Sequence, residues 1–321
     1  MRIDDATRER EIANRWQQTS AQVVDTAKAL ATGQLELANT AAQIAERRER
    51  LRRRGIRLEA IIGDDDSVWL AFFSRALIAA RAVGRVVWTP AGQPPEPVGT
   101  GVLVGPGLLL TNNHVIPDPD EAAGMAVQFG YEYDDDGRER AADLCPLAPA
   151  RAFHTDESLD FTVVGVGDLD GAPPGAKYGT VTLIEATGKA LRAEVLNVVH
   201  HPRGERKRAS IRQNRMVAQD ELWLRYTSDT REGSSGAPVF NDQWEMVALH
   251  HGGIERRDEA GNRLARSGEV WTEVMGDDAI DYVANEGARV SRIIGALRNA
   301  ELEEPTRSVV DSALLQMGAS R

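Results

Sequence analysis

The chain of 321 residues is longer than a typical single domain, and its 42% hydrophobic and 27% charged residues exclude wholesale disorder or a fibrous repeat. The formal net charge is −11. Residues 1–57 carry twelve Lys and Arg against eight Asp and Glu, a net of +4, which leaves −15 for all that follows. The larger part of the chain is therefore a poor binder of nucleic acid.

Neither a secretory signal nor a membrane span is evident. The first residues lack an apolar core, and no stretch approaches the roughly 18 apolar residues that a span needs. The single cysteine, Cys145, cannot form an internal disulfide and excludes a cysteine-rich metal site. We predict a cytoplasmic protein without a membrane partner, in which Cys145 is a buried structural thiol.

The N-terminal region has the periodicity of helices. From Thr7 to about Arg54 there is no proline, and apolar residues recur at every seventh position: Trp16, Val23, Leu30, Leu37, Ile44 and Leu51. Such a narrow stripe must be buried against the neighbouring helices, the rest of the protein or a partner chain. Gly33 marks a break between two helices or weakens one long helix.

An arginine cluster ends this region: Arg47, Arg48, Arg50, Arg52, Arg53, Arg54 and Arg57. It suggests a nucleic-acid sensor, but it has no interleaved aromatic residues, and Glu46 and Glu49 interrupt it. We favour a solvated helix end with cations near its C-terminus. A short helix over 70–77 is predicted to follow.

After Val83 the sequence changes to short apolar and β-branched runs separated by Gly, Pro and Asp. The clearest runs are Val86–Trp88, Gly101–Val104, Leu108–Thr111, Phe161–Val166, Val195–Val199, Val239–Phe240 and Met246–Leu249. Many short strands with turn signals between them predict a mainly β fold, a sandwich or a barrel. An apolar i, i+3, i+4, i+7 pattern then predicts a helix over 285–300, while 301–321 is left unassigned.

Three residues carry candidate chemistry. A serine nucleophile needs a general base, a group that orients the base, and donors for the developing oxyanion. Ser235 lies in a glycine-flanked turn just before an apolar run, His114 follows one such run, and Asp160 directly precedes another. Each motif is weak alone, but the order His, Asp, Ser at the ends of predicted strands makes coincidence improbable.

Other polar residues offer alternatives. Asp156, four residues before Asp160, is a rival orienting carboxylate. The adjacent pairs His200-His201 and His250-His251 suggest a metal, but no further ligands stand at suitable spacing. We predict neither a metal nor a cofactor.

Together these motifs resemble the trypsin-like peptidases, and within them the bacterial glutamyl-endopeptidase-like branch. The matching stretches are Gly99–Val104, Leu109–Val115, Ser158–Val164, Val199–Gly204, Tyr226–Asn241 and Val247–Gly253. The resemblance covers about residues 86–300. It implies a chymotrypsin-like double β-barrel of two six-stranded barrels. The periodicities described above add an α-helical segment in front of it and a helix at the C-terminus.

The resemblance also implies roles for individual residues. His114 would be the general base, Asp160 its orienting carboxylate and Ser235 the nucleophile, with the N–H groups of Gly233 and Ser235 forming the oxyanion hole. Ser234 would be a neighbour of the nucleophile and not the nucleophile itself.

The primary specificity pocket is implied by the same resemblance at Asp229, Thr230, His250, Gly252 and Gly253. Thr230 with His250 favours Glu or Asp before the scissile bond. Asp229 at the pocket floor would favour Arg or Lys instead. Both alternatives stay open.

Secreted members of the family carry a signal and a propeptide, whereas here some 85 residues without an evident signal precede the first predicted barrel strand. We divide the chain into a helical region 1–84, a peptidase domain 85–300 and a tail 301–321. The Arg85–Val86 bond is a candidate zymogen cleavage site, although a simple strand start is favoured.

The leading hypothesis is an intracellular serine endopeptidase that acts on protein or peptide substrates. In this hypothesis the N-terminal helices restrain it, bind a protein activator or self-associate, in the setting of a bacterial stress or defence system. The alternative is a non-catalytic protease-fold scaffold or peptide-binding module. A nucleic-acid partner is not expected.

Overall fold

The computed structural model describes residues 5–55, 68–211, 213–228, 230 and 233–315. Its N-terminal region is helical, as predicted, with α1 Asp5–Gln18, α2 Ser20–Thr32, α3 Ala41–Arg52 and α4 Ala71–Arg81. Gly33, in a left-handed conformation with φ of 70°, ends α2. Thr40 and Gln43 form a capping box that starts α3.

The apolar stripe of these helices is only partly buried. Ile44 and Leu51 are buried against Leu191 and Ala193 of the β region, whereas Leu30 and Leu37 are exposed. The stripe is interrupted because the chain between Gly33 and Thr40 leaves α-helical geometry, so the seven-residue spacing does not keep one face across the break.

The arginine cluster is not uniformly solvated, which corrects the sequence interpretation. Arg52 and Arg53 are exposed, but Arg47 is buried, and its guanidinium bonds Glu194 of the β region at 2.9 Å. The helix docks through this arginine because Glu194, some 150 positions further along the chain, supplies the opposite charge.

The first seven-stranded sheet is antiparallel and closes into a barrel. Its strands, in the order β5-β4-β1-β2-β3-β7-β6, are β1 Val83–Trp88, β2 Glu96–Gly105, β3 Leu108–Thr111, β4 Met125–Phe129, β5 Asp143–Pro146, β6 Phe153–Asp156 and β7 Phe161–Gly165. Backbone bonds from Ala148 N to Gly165 O (2.7 Å) and from Gly167 N to Pro146 O (2.8 Å) join the ends of β5 and β7. Six strands thus form the barrel, and β6 lies outside it.

The second sheet repeats this plan. Its strands, in the order β10-β11-β14-β13-β12-β8-β9, are β8 Leu196–His200, β9 Arg208–Ser210, β10 Met216–Gln219, β11 Trp223–Tyr226, β12 Pro238–Asn241, β13 Met246–Glu255 and β14 Tyr282–Arg289. Bonds from Leu196 N to Asn214 O and from Met216 N to Glu194 O, both 3.0 Å, join the segments before β8 and β10. The chymotrypsin-like double β-barrel is confirmed.

Four further helices complete the described chain: α5 Pro119–Ala123, α6 Gly175–Tyr178, α7 Val290–Asn299 and α8 Thr306–Leu315. The predicted C-terminal helix is α7, whose apolar face packs into the main core. It begins at Val290 and not at 285, because β14 continues to Arg289. The unassigned region after 300 contains α8, which packs on the same core.

Two local predictions are decided by burial. The Arg85–Val86 bond lies inside β1, which pairs with β2 and β4, so it is a strand interior and not an accessible cleavage site. Cys145 is a buried thiol in β5, and burial raises its pKa to about 11. Among the residues that the structure describes, no helix has both the length and the apolar character to cross a membrane.

Candidate active site

The two barrels bring three sequence-distant residues to their junction. His114 follows the end of β3, and Asp160 directly precedes β7, the strand that pairs with β3 through Thr111 and Thr162. Ser235 lies in the turn before β12 of the second barrel. His114 and Asp160 therefore come from the first barrel and Ser235 from the second.

His114 and Asp160 are joined by two hydrogen bonds. The imidazole Nδ1–H donates to Oδ2 of Asp160 at 2.7 Å, and the backbone N–H of His114 donates to Oδ1 at 2.9 Å. The side chain of Asn112 donates to the carbonyl of Asp160 at 2.8 Å, and Asp160 has a left-handed φ of 47°. Both carboxylate oxygens are thus engaged by the residue that they orient.

Charge and burial act in opposite directions at this pair. Burial raises the pKa of Asp160, but the charges and hydrogen bonds of His114 and His251 outweigh it and hold the pKa below its usual range. Burial lowers the pKa of His114 below 6.5, and the charge of Arg8 adds to this, while Asp160 opposes it. At neutral pH the carboxylate is ionised and the imidazole is neutral, with the Nε2 lone pair available to accept a proton.

A second histidine shares the same carboxylate oxygen. His251 Nδ1–H donates to Asp160 Oδ2 at 2.6 Å, and the ring packs against Trp223 with centroids 4.7 Å apart. Sequence reasoning marked His251 only as one of a histidine pair. That doublet was the available signal, but only the folded chain brings it to a carboxylate 91 positions away.

The group His114, Asp160 and His251 is the cluster of metal-ligating type among the described residues. Two ligands of one tetrahedral zinc ion, each 2.0–2.2 Å from it, lie roughly 3.4 Å apart. The nitrogen-to-oxygen distances of 2.6 and 2.7 Å are shorter, and they fit hydrogen bonds.

The turn that carries Ser235 is fixed by both barrels. Thr100 of β2 donates its N–H to the carbonyl of Ser235 (2.8 Å) and its hydroxyl to that of Gly233 (2.7 Å). Gly236 N–H donates to His250 O of β13 at 3.0 Å. Gly236 has a φ of 81°, and a Cβ there would lie 2.1 Å from the carbonyl oxygen of Thr100, so only glycine fits.

The two adjacent serines occupy different environments. Ser234 is fully buried, and its Oγ lies 2.7 Å from Nδ1 of His200, whose pKa burial lowers to about 4. Ser235 is only half-buried. Of the two, Ser235 is the one that a substrate can reach.

Asp156, considered above as the rival orienting carboxylate, bonds its own turn. Its Oδ1 accepts hydrogen bonds from the backbone N–H and hydroxyl of Ser158 and from the N–H of Leu159, at 2.6–3.0 Å. The carboxylate therefore stabilises the turn before β7, and Asp160 is the partner of His114.

Three of the predicted pocket residues, His250, Gly252 and Gly253, lie on β13. The hydroxyl of Thr230 bonds Asn285, which lies opposite Gly253 in the sheet and donates to Ser228 O at 2.8 Å. His250 Nδ1 lies 2.6 Å from the hydroxyl of Tyr226, and burial lowers the pKa of His250 to about 3. The outer face of Gly252 is covered by α1. Asp229 lies outside the described residues.

Comparison with known proteins finds a similar family and a similar bacterial protein. Residues 99–249 match the family described as the trypsin-like peptidase domain. The uncharacterized protein y4fB of Sinorhizobium fredii is 37% identical over 262 residues, which cover 74% of this chain and 38% of that protein. The chain thus spans well under half the length of that relative.

Two solved structures are also similar in part. The active form of the Rv3671c protease from M. tuberculosis aligns with 16% identity and a TM-score of 0.45, over 74% of this chain and 90% of that one. The HtrA-type protease AlgW with tripeptide aligns with 18% identity and a TM-score of 0.44, over 71% of this chain and 62% of that one.

Proposed function

We propose that the trypsin-like peptidase domain of this chain is a serine endopeptidase that cleaves protein or peptide substrates with Ser235, His114 and Asp160. The observation that carries the proposal is the engagement of both Asp160 oxygens by His114, which leaves Nε2 of a neutral imidazole free to act as a base.

The reaction follows from these roles. Ser235 Oγ attacks the peptide carbonyl carbon while His114 Nε2 takes the hydroxyl proton. The C–N bond then breaks, His114 returns the proton to the leaving amine, and an acyl ester on Ser235 remains. Water, deprotonated by His114, releases the acyl group as a carboxylic acid and restores the hydroxyl.

We assign the oxyanion hole to the N–H groups of Gly233 and Ser235. Thr100 holds the carbonyl oxygens of both residues, which fixes the Gly233–Ser234 and Ser235–Gly236 peptide planes on either side of the plane that carries the Ser235 N–H. Donors that need no reorganisation stabilise a developing oxyanion best.

For specificity we propose an acidic side chain before the scissile bond. Burial raises the pKa of Tyr226 well above 10, so its hydroxyl stays protonated and donates a hydrogen bond to His250 Nδ1. The neutral ring then carries its own proton on Nε2, where it can donate to a carboxylate. The competing preference for Arg or Lys depends on Asp229.

Cleavage rates of peptides that differ only in Glu, Gln or Lys before the scissile bond will test this specificity. We expect the Glu peptide to be cleaved fastest. A faster Lys peptide would instead indicate that Asp229 lines the pocket.

Regulation by the N-terminal helices, a cytoplasmic location and a part in a bacterial stress or defence response belong to the same proposal. The docking of α1 beside the site supports regulation by the helices. The location and the physiological setting rest on the sequence argument alone.

Intact-mass detection of fluorophosphonate labelling tests the activity. We expect one label on the full chain, one on Ser234→Ala and none on Ser235→Ala. A label that persists on Ser235→Ala would assign the nucleophile elsewhere. An unlabelled full chain would favour the non-catalytic scaffold.

A further inference from the structure

Strand β13 has an open edge beside the site. β12 pairs with β13 only as far as Leu249, and within the described part of the chain no other strand takes its place beside Gly252 to Ile254. On its other side this stretch pairs regularly with β14. The open stretch begins directly after His251, which bonds Asp160. An extended peptide can add a strand to such an edge.

Helix α1 covers the outer face of this stretch. Ile12 packs with Ile254 of β13 and Ala284 of β14. Its Cδ1 would lie 3.1 Å from a Cβ on Gly252, and no other atom comes as near to that position. The side chain of Ile12 therefore rests on the backbone of the strand where it leaves the site.

Other residues of α1 contact side chains around the site. Arg15 pairs with the buried Glu286 at 2.7 Å, and its guanidinium lies over the ring of Trp223, 4.6 Å from the centroid. The other neighbour of that ring is His251. One turn beyond Ile12, the charge of Arg8 reaches His114. Helix α1 thus extends from β11 towards His114.

We propose that α1 is a detachable cover that keeps substrate chains off the open edge of β13, an inference that rests on the proposed endopeptidase function. A helix with its side chains is about 10 Å wide. A peptide that reaches Ser235 by adding to this edge must run along Gly252 to Ile254, and α1 lies against the face of the same stretch.

The contacts of α1 are of a kind that can be released. Glu286 keeps Arg225 at 2.9 Å when Arg15 leaves. Arg263, which Glu9 of α1 contacts, keeps Glu255 at 2.9 Å. Departure of α1 therefore leaves Glu286 and Arg263 each with a partner on the barrel.

Apolar anchoring of α1 is also slight. Of its fourteen described residues, only Ile12 is buried. Burial of one aliphatic side chain corresponds to a preference of about tenfold to a hundredfold for the docked state. The equilibrium can therefore be shifted by one substitution.

The test uses the full chain and two probes of different size. Diisopropyl fluorophosphate is small and reaches Ser235 without occupying the β13 edge, whereas fluorescein-labelled casein must lie along it. In Ile12→Asp we expect casein cleavage to rise by about tenfold or more. The labelling rate should stay within about twofold of the unmodified chain, since the triad is unchanged.

Asn14→Asp is the matched control, because it adds the same charge to the same helix at an exposed position. We expect it to leave both rates unchanged. Arg15→Glu, which places a carboxylate against Glu286, gives a second route to release of α1. A circular dichroism melt verifies that each variant is folded.

The outcomes separate the two proposals. Normal labelling with unchanged casein cleavage in both α1 variants would overturn the cover and leave the proposed function intact. A parallel rise of both rates would also overturn it, because α1 would then affect the reactivity of the triad and not access. Absence of labelling in every variant would overturn the proposed function and the cover with it.

Discussion

Helices α1 and α3 each bring an arginine to a buried carboxylate of the second barrel. The two ion pairs differ in whether the carboxylate keeps another cation when the helix leaves. Glu194 pairs with Arg47 of α3, and the two side chains are 2% and 1% exposed. Glu286, fully buried, is held by Arg15 of α1 and also by Arg225 of β11. The first ion pair cannot open without leaving a buried charge unpaired, whereas the second can.

The dock of α3 is reinforced at its C-terminal end. Glu245 of the second barrel, which is also buried, receives Arg50 at 2.6 Å and Arg54 at 2.7 Å. Both arginines come from α3 or the residues just after it. Helix α3 is therefore a fixed part of the body of the protein, from which α1 and α2 extend over the second barrel.

The largest effect is expected from Arg47→Ala. Removal of one partner from a buried ion pair typically costs about 3–5 kcal/mol, because the remaining charge loses both water and its counter-ion. We therefore expect the free energy of unfolding in urea to fall by about this amount. Arg15→Ala should cost less than about 1 kcal/mol, because Glu286 retains Arg225.

Two controls accompany this measurement. Arg47→Ala combined with Glu194→Gln should recover part of the loss, because no unpaired charge then stays in the interior. Arg53→Ala, on the exposed side of the same region, should leave the stability unchanged. An Arg47→Ala chain as stable as Arg53→Ala would show that α3 is docked no more firmly than α1.

A double-mutant cycle tests whether Arg225 compensates for the loss of Arg15 at Glu286. In an Arg225→Ala background, Glu286 depends on Arg15 alone among its present cationic partners in the described structure. Arg15→Ala should then destabilise the protein by about 1–3 kcal/mol more than it does in the unmodified chain. If the losses in free energy of unfolding of the two single variants add to within about 0.5 kcal/mol of the loss in the double variant, Arg225 does not substitute for Arg15.

The features that could be predicted from the sequence are those with local signals. Strands ended by turn residues indicated the β fold, and His114, Asp160 and Ser235 each stood at the end of an apolar run. Each depends on a neighbourhood of a few residues. The helices were predictable for the same reason, since periodicity is local.

The features that were missed depend on residues far apart in the chain. The pair Arg15 and Glu286 is separated by 271 positions, and the pair His251 and Asp160 by 91. Composition near either residue says nothing of its partner. The arginine cluster shows the same limit, because exposed Arg53 and buried Arg47 lie in one charged run and only the facing barrel distinguishes them.

The smallest expected effect is on the pKa of His114, which should sense a charge on α1 but not one on α3. Burial lowers the pKa of His114, Asp160 raises it, and Arg8 of α1 and His251 lower it further. Because the proposed base must be neutral to act, the rate of labelling by diisopropyl fluorophosphate should fall on the acid side with the pKa of His114. Removal of a nearby positive charge makes protonation easier, so Arg8→Ala should move this acid limb to higher pH. Arg52→Ala removes the same charge from the exposed side of α3 and should leave the limb in place. Equal displacement in both variants would mean that His114 senses only net charge, and no displacement in Arg8→Ala would mean that α1 does not lie beside His114.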